Sequence, residues 1–328
     1  MRVLVTGGSG FIGSHVVDRL RVHHHEPRIF DLLPSPHHPT DEVDTVVGDL
    51  LDADAVRVAV RGCDAVVHLA AVADVNRVAD DPSYADLVNV RGTGLLLEAA
   101  RVEGVPRVLY ASTIWVYGGI ARPEPANEDS PLALPDHFYT ATKLAGEMYC
   151  RAYNQLYGLG YTILRFGIPH GPRTREAAVV ARFVARALAG EALSITGDGS
   201  QSRQFVYVED LAEGVVAALA PEADGRVYNL VGRESVSVRA IAETVRRVVR
   251  EVPIVHVASR PGDLGAAEIS GARAERELSW QARTPFDDGV RRYVAWLTAA
   301  NGTNGAAERP SLQEWPAALP LTPQLGEA

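Results

Sequence analysis

The chain has little cysteine, no long apolar run and no excess of basic residues. Its 328 residues include only Cys63 and Cys150, whose separation matches neither a disulfide framework nor a zinc site. No apolar run reaches membrane-spanning length, and a core strand rather than a signal peptide starts the chain, so we expect no membrane partner and a cytoplasmic location. A net charge of -9 disfavours nucleic-acid binding.

The composition is otherwise that of an ordinary globular protein, with 47% hydrophobic and 22% charged residues. This length suits one large domain or two coupled ones. The run His23-His24-His25 invites a metal interpretation, but adjacent side chains on a helix point in different directions. We therefore interpret the run as a solvated helix end and predict no metal.

A strand, a glycine-rich turn and a helix open the chain. Gly7 permits the tight turn, Gly10 lets the backbone approach a pyrophosphate, and Gly13 lets the helix pack closely on the strand. The helix N-terminus at Phe11 and Ile12 offers free N–H groups and a positive dipole end to that phosphate. The pattern predicts a dinucleotide site.

Asp31 closes the second predicted strand, 18 residues after Gly13. A carboxylate at this distance accepts hydrogen bonds from an adenosine ribose. It would repel the 2′-phosphate of NADP, and the following Leu32-Leu33 offers no arginine to hold that phosphate. The expected cofactor is therefore NAD.

Strand and helix patterns alternate along most of the chain, which predicts an α/β protein with a Rossmann doubly wound parallel sheet. The regular alternation of strand and helix patterns ends past Phe166. There we expect a smaller, mixed α/β C-terminal domain that binds substrate at the carboxyl edge of the sheet. The predicted domains are a Rossmann domain over 1–166 plus about 205–231, a substrate domain over 167–204 and 232–300, and a tail over 301–328.

Tyr139 and Lys143 form a Y-x-x-x-K pattern on a predicted helix over 138–157, which places both side chains on one face. A nearby ammonium stabilises a phenolate, which lets a tyrosine act as a base despite an ordinary pKa near ~10. The strand end Ser112-Thr113 adds a hydroxyl placed to bridge substrate and phenol.

Together these motifs resemble the extended short-chain dehydrogenases/reductases, and among them the NAD-dependent sugar epimerase/dehydratase family. The resemblance runs along most of the chain. Its motifs are TGGSGFIG at 6–13, Asp31, Asp49-Leu50, HLAA at 68–71, NVRGT at 89–93, STIWVYG at 112–118, YTATK at 139–143, GDGSQSRQFVYVEDLA at 197–212 and RPGD at 260–263.

The resemblance implies a role for each matching residue. Thr113, Tyr139 and Lys143 correspond to the catalytic hydroxyl, the base and the cofactor-binding lysine. Arg203 and Arg260 correspond to arginines that clamp a nucleotide diphosphate, a task that suits the guanidinium fork. Further cofactor contacts are expected at Asp49, Leu50, Leu69, Ala70, Ala71 and Asn89, and further substrate contacts at Ser112, Ile168, His170, Asp263 and Ala267.

The residues after Thr113 bear on the reaction. In the sugar 4,6-dehydratases of this family, the catalytic threonine is followed by an Asp-Glu pair that eliminates water. Here Ile114-Trp115 follow, and neither side chain transfers protons. The resemblance therefore favours a UDP-sugar 4-epimerase. In such an enzyme Tyr139 takes the 4-hydroxyl proton, NAD carries the hydride, and the 4-keto sugar rotates to present its other face.

Three positions concern the substrate pocket. Ile168 stands where the epimerases usually carry an asparagine that touches the nucleotide-sugar diphosphate. His170 replaces a tyrosine and is interpreted either as a pocket residue or as an ordinary loop histidine. Ala267 matches a position that controls space around the sugar 2-substituent, and its small side chain leaves room for an N-acetyl group.

Two other functions stay open from the sequence. One is a nucleotide-sugar reductase or dehydrogenase, which would consume NAD(H) stoichiometrically. The other is a regulatory NAD-binding protein without turnover, against which the intact Thr113, Tyr139 and Lys143 argue. Helices predicted over 84–103 and 138–157 resemble those that form a dimer interface in this family, so a homodimer is expected.

Overall fold

The computed structural model describes residues 1–118, 124–258 and 268–303. In chain order the strands are β1 (Arg2–Thr6), β2 (Glu26–Asp31), β3 (Asp44–Val47), β4 (Ala65–His68), β5 (Arg107–Thr113), β6 (Gly160–Phe166), β7 (Ile168–His170), β8 (Leu193–Thr196), β9 (Ser202–Tyr207), β10 (Arg226–Leu230), β11 (Ser235–Ser237) and β12 (Ile254–Val257). The helices are α1 (Phe11–Val22), α2 (Ala53–Val60), α3 (Val75–Asp80), α4 (Pro82–Asp86), α5 (Thr93–Val102), α6 (Phe138–Tyr157), α7 (Val179–Leu188), α8 (Val208–Ala217), α9 (Val238–Val248), α10 (Ala272–Leu278) and α11 (Phe286–Thr303).

Seven parallel strands form a central sheet in the order β10-β6-β5-β4-β1-β2-β3. The strand order reverses between β1 and β4, which is where open α/β sheets bind their ligands. This topology confirms the predicted Rossmann doubly wound fold.

Helices cover both faces of this sheet, and its central strands are accordingly buried at almost every position. Val3 and Val5 point into a core shared with α1 and α8, whereas Leu4 points into a second core shared with α2, α5 and α6. Burying one such side chain stabilises the fold by roughly 1.5–3 kcal/mol. As a result, α1 and α5 lie on opposite faces of the sheet.

The helix predicted over 84–103 has an irregular beginning. α4 passes through a π-helical turn, Leu87–Gly92, into α5. The widened turn brings the buried Asn89 against the loop that follows β4. By contrast, α6 has the predicted bounds, and it ends at Gly158, whose left-handed φ of 72° disfavours other residues.

The C-terminal part of the chain carries two small sheets, β11-β9-β7 and β12-β8. α7, α9 and α11 pack around them in a core of their own. β10 returns to the central sheet, within the range 205–231 that was assigned to the Rossmann domain. The domain boundaries and the tail over 301–328 stay predictions, and α11 extends to Thr303.

No helix within the described ranges is long and apolar enough to cross a membrane.

Candidate active site

The glycine-rich turn between β1 and α1 is too tight for side chains. A Cβ on Gly13 would lie 2.1 Å from the carbonyl oxygen of Gly7, and one on Gly7 would lie 2.9 Å from the amide nitrogen of Ala70. Gly7 also has a left-handed φ of 72°. This bare backbone leaves room for a pyrophosphate to approach, so the turn fits a dinucleotide.

The beginning of α1 offers hydrogen-bond donors to an anion. The N-cap residue is Gly10, and no side chain of the described residues caps the helix. The first turn contains no acidic residue, so the N–H groups of Phe11, Ile12 and Gly13 and the helix dipole stay available to a phosphate.

Asp31 lies at the carboxyl end of β2, beside the glycine turn. Its carboxylate accepts hydrogen bonds from the N–H groups of Ser9 (3.0 Å) and Leu32 (2.8 Å). Burial raises the pKa of the carboxyl, and these backbone donors oppose the rise. The carboxylate is thus held at the edge of the sheet, as expected for a group that binds an adenosine ribose.

The other predicted cofactor contacts surround this turn. Leu50 packs against Gly92, and the Asp49 carboxylate accepts the N–H of Leu51 at 2.9 Å. In the loop after β4, the N–H of Leu69 donates to Thr6 O at 3.1 Å. Ala70 and Ala71 continue this loop, beside Gly7.

Asn89 holds the next part of the same loop. Its side-chain oxygen accepts the N–H of Val72 at 2.7 Å, and its Nδ2 donates to Val72 O and to the Thr142 hydroxyl. Protein groups thus engage both the oxygen and the nitrogen of the amide. We expect Asn89 to support cofactor binding by fixing the position of this loop.

His68 is a satisfied buried histidine, as interpreted from the sequence. Nδ1 lies 2.7 Å from the Thr6 hydroxyl, and Nε2 lies 2.9 Å from the Thr93 hydroxyl. Burial lowers the pKa of the imidazole to about 3, so the ring is neutral at physiological pH.

Tyr139 and Lys143 lie together near the start of α6. The Lys143 ammonium is 5.9 Å from the centre of the Tyr139 ring and 5.1 Å from that of Tyr110. Burial raises the pKa of Tyr139 to about 12 and lowers that of Lys143 to about 8. The positive charge of Arg175 opposes the rise at Tyr139. The arrangement is that of a phenol whose ionisation depends on nearby cations.

Thr113 ends β5, and its hydroxyl accepts the N–H of Trp115 at 3.3 Å. The indole of Trp115 meets two rings edge-on, that of His137 at 4.9 Å and that of Tyr139 at 5.9 Å between centroids. The wall next to the phenol is therefore aromatic, at the position where the resemblance places an acid in dehydratases.

Ser112, predicted to touch substrate, has a different partner. It is 3% exposed, and its hydroxyl donates to Glu147 Oε1 at 2.6 Å. Glu147 is also paired with Arg165, whose Nη2 lies 2.8 Å from Glu147 Oε2. Arg165 donates to the hydroxyl of Tyr117 at 2.7 Å. A buried polar network therefore uses the Ser112 hydroxyl, and the substrate contact at Ser112 stays a prediction.

Sequence reasoning missed this network, although one signal was present. Tyr139, Lys143 and Glu147 follow each other at intervals of four, so they lie along one face of α6. A buried glutamate on the face that carries a base and an ammonium requires a cationic partner. That partner, Arg165 on β6, is a feature of the tertiary fold.

His170 is also engaged by protein groups. It is 2% exposed and packs among the rings of Phe205, Tyr207 and Phe286, and its role in the substrate pocket stays a prediction. Its Nδ1 donates to Val206 O at 3.1 Å, while Nε2 has no hydrogen-bond partner within the described ranges. Burial lowers the pKa of this imidazole to about 4.

The remaining predicted substrate contacts are only partly described. Ile168 lies on β7, half-buried, and pairs with Phe205 of β9. Arg203 lies on β9, and its Nη1 donates to Ser202 O at 2.8 Å. Arg260, Asp263 and Ala267 lie outside the described residues.

Comparisons with known proteins agree with this geometry. The model of the NAD dependent epimerase/dehydratase family matches residues 3–231, more than half of the chain. The UDP-glucose 4-epimerase of Mycolicibacterium smegmatis is 35% identical over 310 residues, which cover 90% of this chain and 98% of that protein.

Solved structures of two enzyme types are similar to this one. A Thermus thermophilus UDP-glucose 4-epimerase in complex with NAD superposes with a TM-score of 0.84 at 34% identity, covering 92% of this chain and 100% of that one. A Streptomyces venezuelae dTDP-glucose 4,6-dehydratase with NAD bound gives a TM-score of 0.84 at 32% identity, covering 92% and 98%. Overall similarity thus leaves the choice between epimerase and dehydratase open.

The glycine turn and Asp31 fit NAD, and the family model, the relatives and the solved structures agree on one assignment. The chain belongs to the NAD-dependent epimerase/dehydratase family, a family of enzymes, and its cofactor is NAD.

Proposed function

We propose that this enzyme is a nucleotide-sugar 4-epimerase, with a UDP-sugar as substrate. One observation carries the proposal: Thr113, Tyr139 and Lys143 are present, while Trp115 stands against the phenol in place of an acid. Elimination of water needs a second proton-transferring pair, and Ile114 and Trp115 supply none.

In the proposed reaction, Tyr139 is the base that takes the proton from the sugar 4-hydroxyl. The Thr113 hydroxyl bridges the sugar oxygen and the phenol and holds them within hydrogen-bond reach. The 4-keto sugar then turns about its diphosphate link and presents its other face, where C4 would receive the hydride again, and Tyr139 returns the proton to the 4-oxygen. Atoms and electrons balance, because the proton and the hydride taken from the sugar are both restored.

Lys143 and NAD together are proposed to make this base accessible at neutral pH. A phenol with a pKa near 12 is almost wholly protonated at pH 7, so very little of it can accept a proton. An ammonium close to the ring favours the phenolate. NAD, when bound, supplies the hydride acceptor and a positive ring that adds to this effect.

The proposal for the substrate rests on fewer residues. Arg203 and Arg260 are proposed to bind the diphosphate, and Asp263 a nucleotide ribose. With Ile168 at its position, the chain lacks the asparagine amide by which the epimerases usually contact the diphosphate. The small Ala267 is proposed to admit a 2-acetamido sugar. Epimerases of UDP-glucose and of UDP-N-acetylglucosamine are both among the similar structures.

The experiment that tests the function uses the purified protein without added cofactor. UDP-glucose, UDP-N-acetylglucosamine, UDP-glucuronate and dTDP-glucose are incubated separately, and products are resolved by chromatography and NMR. We expect the 4-epimer of at least one UDP-sugar, with no net change in NAD or NADH. Tyr139→Phe should abolish this turnover, while Tyr149→Phe, on the exposed side of the same helix, should not.

Other outcomes assign other functions. Stoichiometric formation or consumption of NADH would identify a reductase or dehydrogenase. A 4-keto-6-deoxy product would identify a dehydratase. If all four sugars return unchanged from protein that carries NAD, the regulatory function gains support and the epimerase proposal is wrong for these substrates.

A further inference from the structure

Residues 171–175, here called the strap, connect β7 to the segment before α7 and make contacts on both faces of the central sheet. α1 lies on one face, because its apolar residues share a core with α8. α3 and α4 lie on the other face, because they pack on α6, which shares a core with α2 and α5. The strap contacts both groups of elements, so it crosses the carboxyl edge of the sheet between β1 and β4.

The first anchor of the strap is on α1. The carbonyl oxygen of Pro172 lies 3.0 Å from His15 Nε2. Arg173 Nη1 donates to Asp18 Oδ2 at 2.7 Å, and the other oxygen of Asp18 lies 2.8 Å from His38 Nε2. His38 comes from the loop after β2, so this anchor also ties the strap to the strand that ends at Asp31.

Its second anchor is beyond the crevice. Arg175 Nη1 donates to Asp74 Oδ2 at 2.7 Å. Asp74 follows the loop 69–71 and caps α3, since its Oδ1 accepts the N–H groups of Asn76 and Arg77. Both residues of this pair are partly exposed, at 45% for the Arg175 side chain and 22% for that of Asp74. The Arg173–Asp18 pair, 20% and 38% exposed, is supported by the Pro172–His15 and Asp18–His38 contacts, so the Arg175–Asp74 pair is the anchor that can open at the lower cost.

We propose that residues 171–175 are a strap that closes over the bound dinucleotide and retains it between turnovers. The glycine turn and α1 lie under one end, and the loop after β4 lies under the other, so a dinucleotide at the switch point has the strap above it. NAD leaves only when the Arg175–Asp74 pair, or the anchor on α1, is broken. The inference depends on the cofactor and is independent of which sugar reaction the enzyme catalyses.

Retention is chemically useful to an enzyme that restores its cofactor in every cycle. Such an enzyme gains nothing from exchange of NAD with the solvent, whereas a dehydrogenase must release NADH each turn. The strap also brings the charge of Arg175 to the neighbourhood of Tyr139, on which that charge acts. Cofactor retention and the catalytic phenol thus share one structural segment.

The test measures how fast NAD leaves the protein. Protein purified with NAD is diluted into an NAD glycohydrolase, which destroys released dinucleotide, and the NAD that stays bound is quantified over time. Arg175→Gln and Asp74→Asn should each release NAD about two- to fivefold faster than the unmodified protein, the range expected of a partly exposed ion pair. Asn keeps the ability to cap α3, so Asp74→Asn tests the pair without disturbing the helix.

Two further variants sharpen the result. Combining Arg175→Gln with Asp74→Asn should release NAD no faster than either single change, because both remove the same pair. Combining Arg173→Gln with Arg175→Gln should release NAD more than about tenfold faster, because both anchors are lost. Arg291→Gln, which breaks an exposed pair with Asp288 on α11, is the matched control and should release NAD at the original rate.

The outcomes separate the strap from the proposed reaction. If the strap variants keep the original release rate while thermal unfolding shows that they are folded, the strap proposal is overturned. If a variant purifies without NAD, it is reloaded and its release rate is measured in the same way. The release rates stand whether or not any sugar is epimerised, so failure of the function leaves this result untouched.

Discussion

At the scale of single residues, the charges around Tyr139 set its reactivity. Burial keeps the phenol protonated at neutral pH, since its pKa is raised to about 12 although the charge of Arg175 opposes the rise. Lys143 is itself buried, and its lowered pKa of about 8 still leaves it mostly charged at pH 7. The pair therefore works only when the ammonium is retained beside the ring.

This electrostatic arrangement predicts the effect of Lys143→Met. The reaction needs the phenolate, so activity falls as the pH drops below the phenol's pKa. Without the ammonium the phenolate is less stable and its pKa rises, so the acid side of the kcat profile should move up by about one pH unit or more. We expect kcat at pH 7 to fall at least about tenfold.

The measurement is kcat against pH on NAD-loaded protein. Lys143→Arg keeps the positive charge and should leave the acid side of the profile nearer to its original place. A Met variant whose profile is merely lower, with no displacement along the pH axis, would show that Lys143 acts only by packing or by binding the cofactor.

At the scale of elements, α6 is fixed by a buried ion pair. Glu147 lies two turns beyond Tyr139 on the same face, and with Arg165 it joins α6 to β6, while Ser112 joins it to β5. Both charged side chains are almost fully buried, at 2% exposure for Arg165 and 0% for Glu147. We therefore expect the pair to set the position of Tyr139 relative to Thr113, which would make Glu147 a positioning residue.

Removing one partner of the pair should be costly. Glu147→Gln leaves the Arg165 charge buried without a counter-ion, and we expect unfolding free energy to fall by about 3–5 kcal/mol. Asp288→Asn, at the exposed pair on α11, should change it by less than about 1 kcal/mol. Denaturant unfolding of both variants measures the difference.

Replacing both partners separates stability from positioning. Glu147→Leu with Arg165→Met removes both charges, and such exchanges are often neutral in stability. We expect this variant to fold and to lose kcat with little change in KM, because Tyr139 is no longer held in register with Thr113. A folded double variant with full kcat would show that the pair has no positioning role.

The elements differ in how well the sequence predicts them. α6 was predicted with the correct bounds, since twenty residues of amphipathic pattern end at Gly158. β7 and β11 have three residues each, which is too few to show the alternation of apolar and polar residues that is typical of a strand. Both were missed. The π-helical turn Leu87–Gly92 was also missed, because one extra residue per turn leaves the apolar pattern nearly unchanged.

At the scale of the whole molecule, apolar side chains on α5 and α6 stay exposed to solvent. Met148, Tyr149, Leu156 and Tyr157 lie on α6 and are 40–70% exposed, and Val102 ends α5. Exposed apolar groups that lie close together are typical of an interface. We keep the sequence-based prediction of a homodimer through these two helices.

A charge on this face should disrupt the dimer. Leu156→Glu is expected to convert the protein to a monomer, because a glutamate at the interface would be buried without a partner. Val58→Glu, at an equally apolar exposed site on α2, is the control and should leave the mass unchanged. Light scattering after size-exclusion chromatography reports the mass, and a monomeric unmodified protein would refute the prediction.

Across the molecule, local motifs predicted the carboxyl edge of the sheet as the site, because the glycine turn, Asp31 and Thr113 lie at the ends of strands. Partners from distant parts of the chain were beyond such reasoning. Arg175 and Asp74 are 101 positions apart, and Ser112 and Glu147 are 35 apart, with no pattern that links them. The buried contacts of Ser112 and His170 were likewise beyond prediction from local motifs.

Lys143 gives this molecule an unusual chemical property. It is the only lysine in the sequence, every other basic chain being arginine or histidine. Apart from the amino terminus, a reagent that acylates amines thus has a single target, and that target is 4% exposed in the active site. The rate of labelling at Lys143 reports directly how often the enzyme opens its site to solvent, with no probe added to the protein.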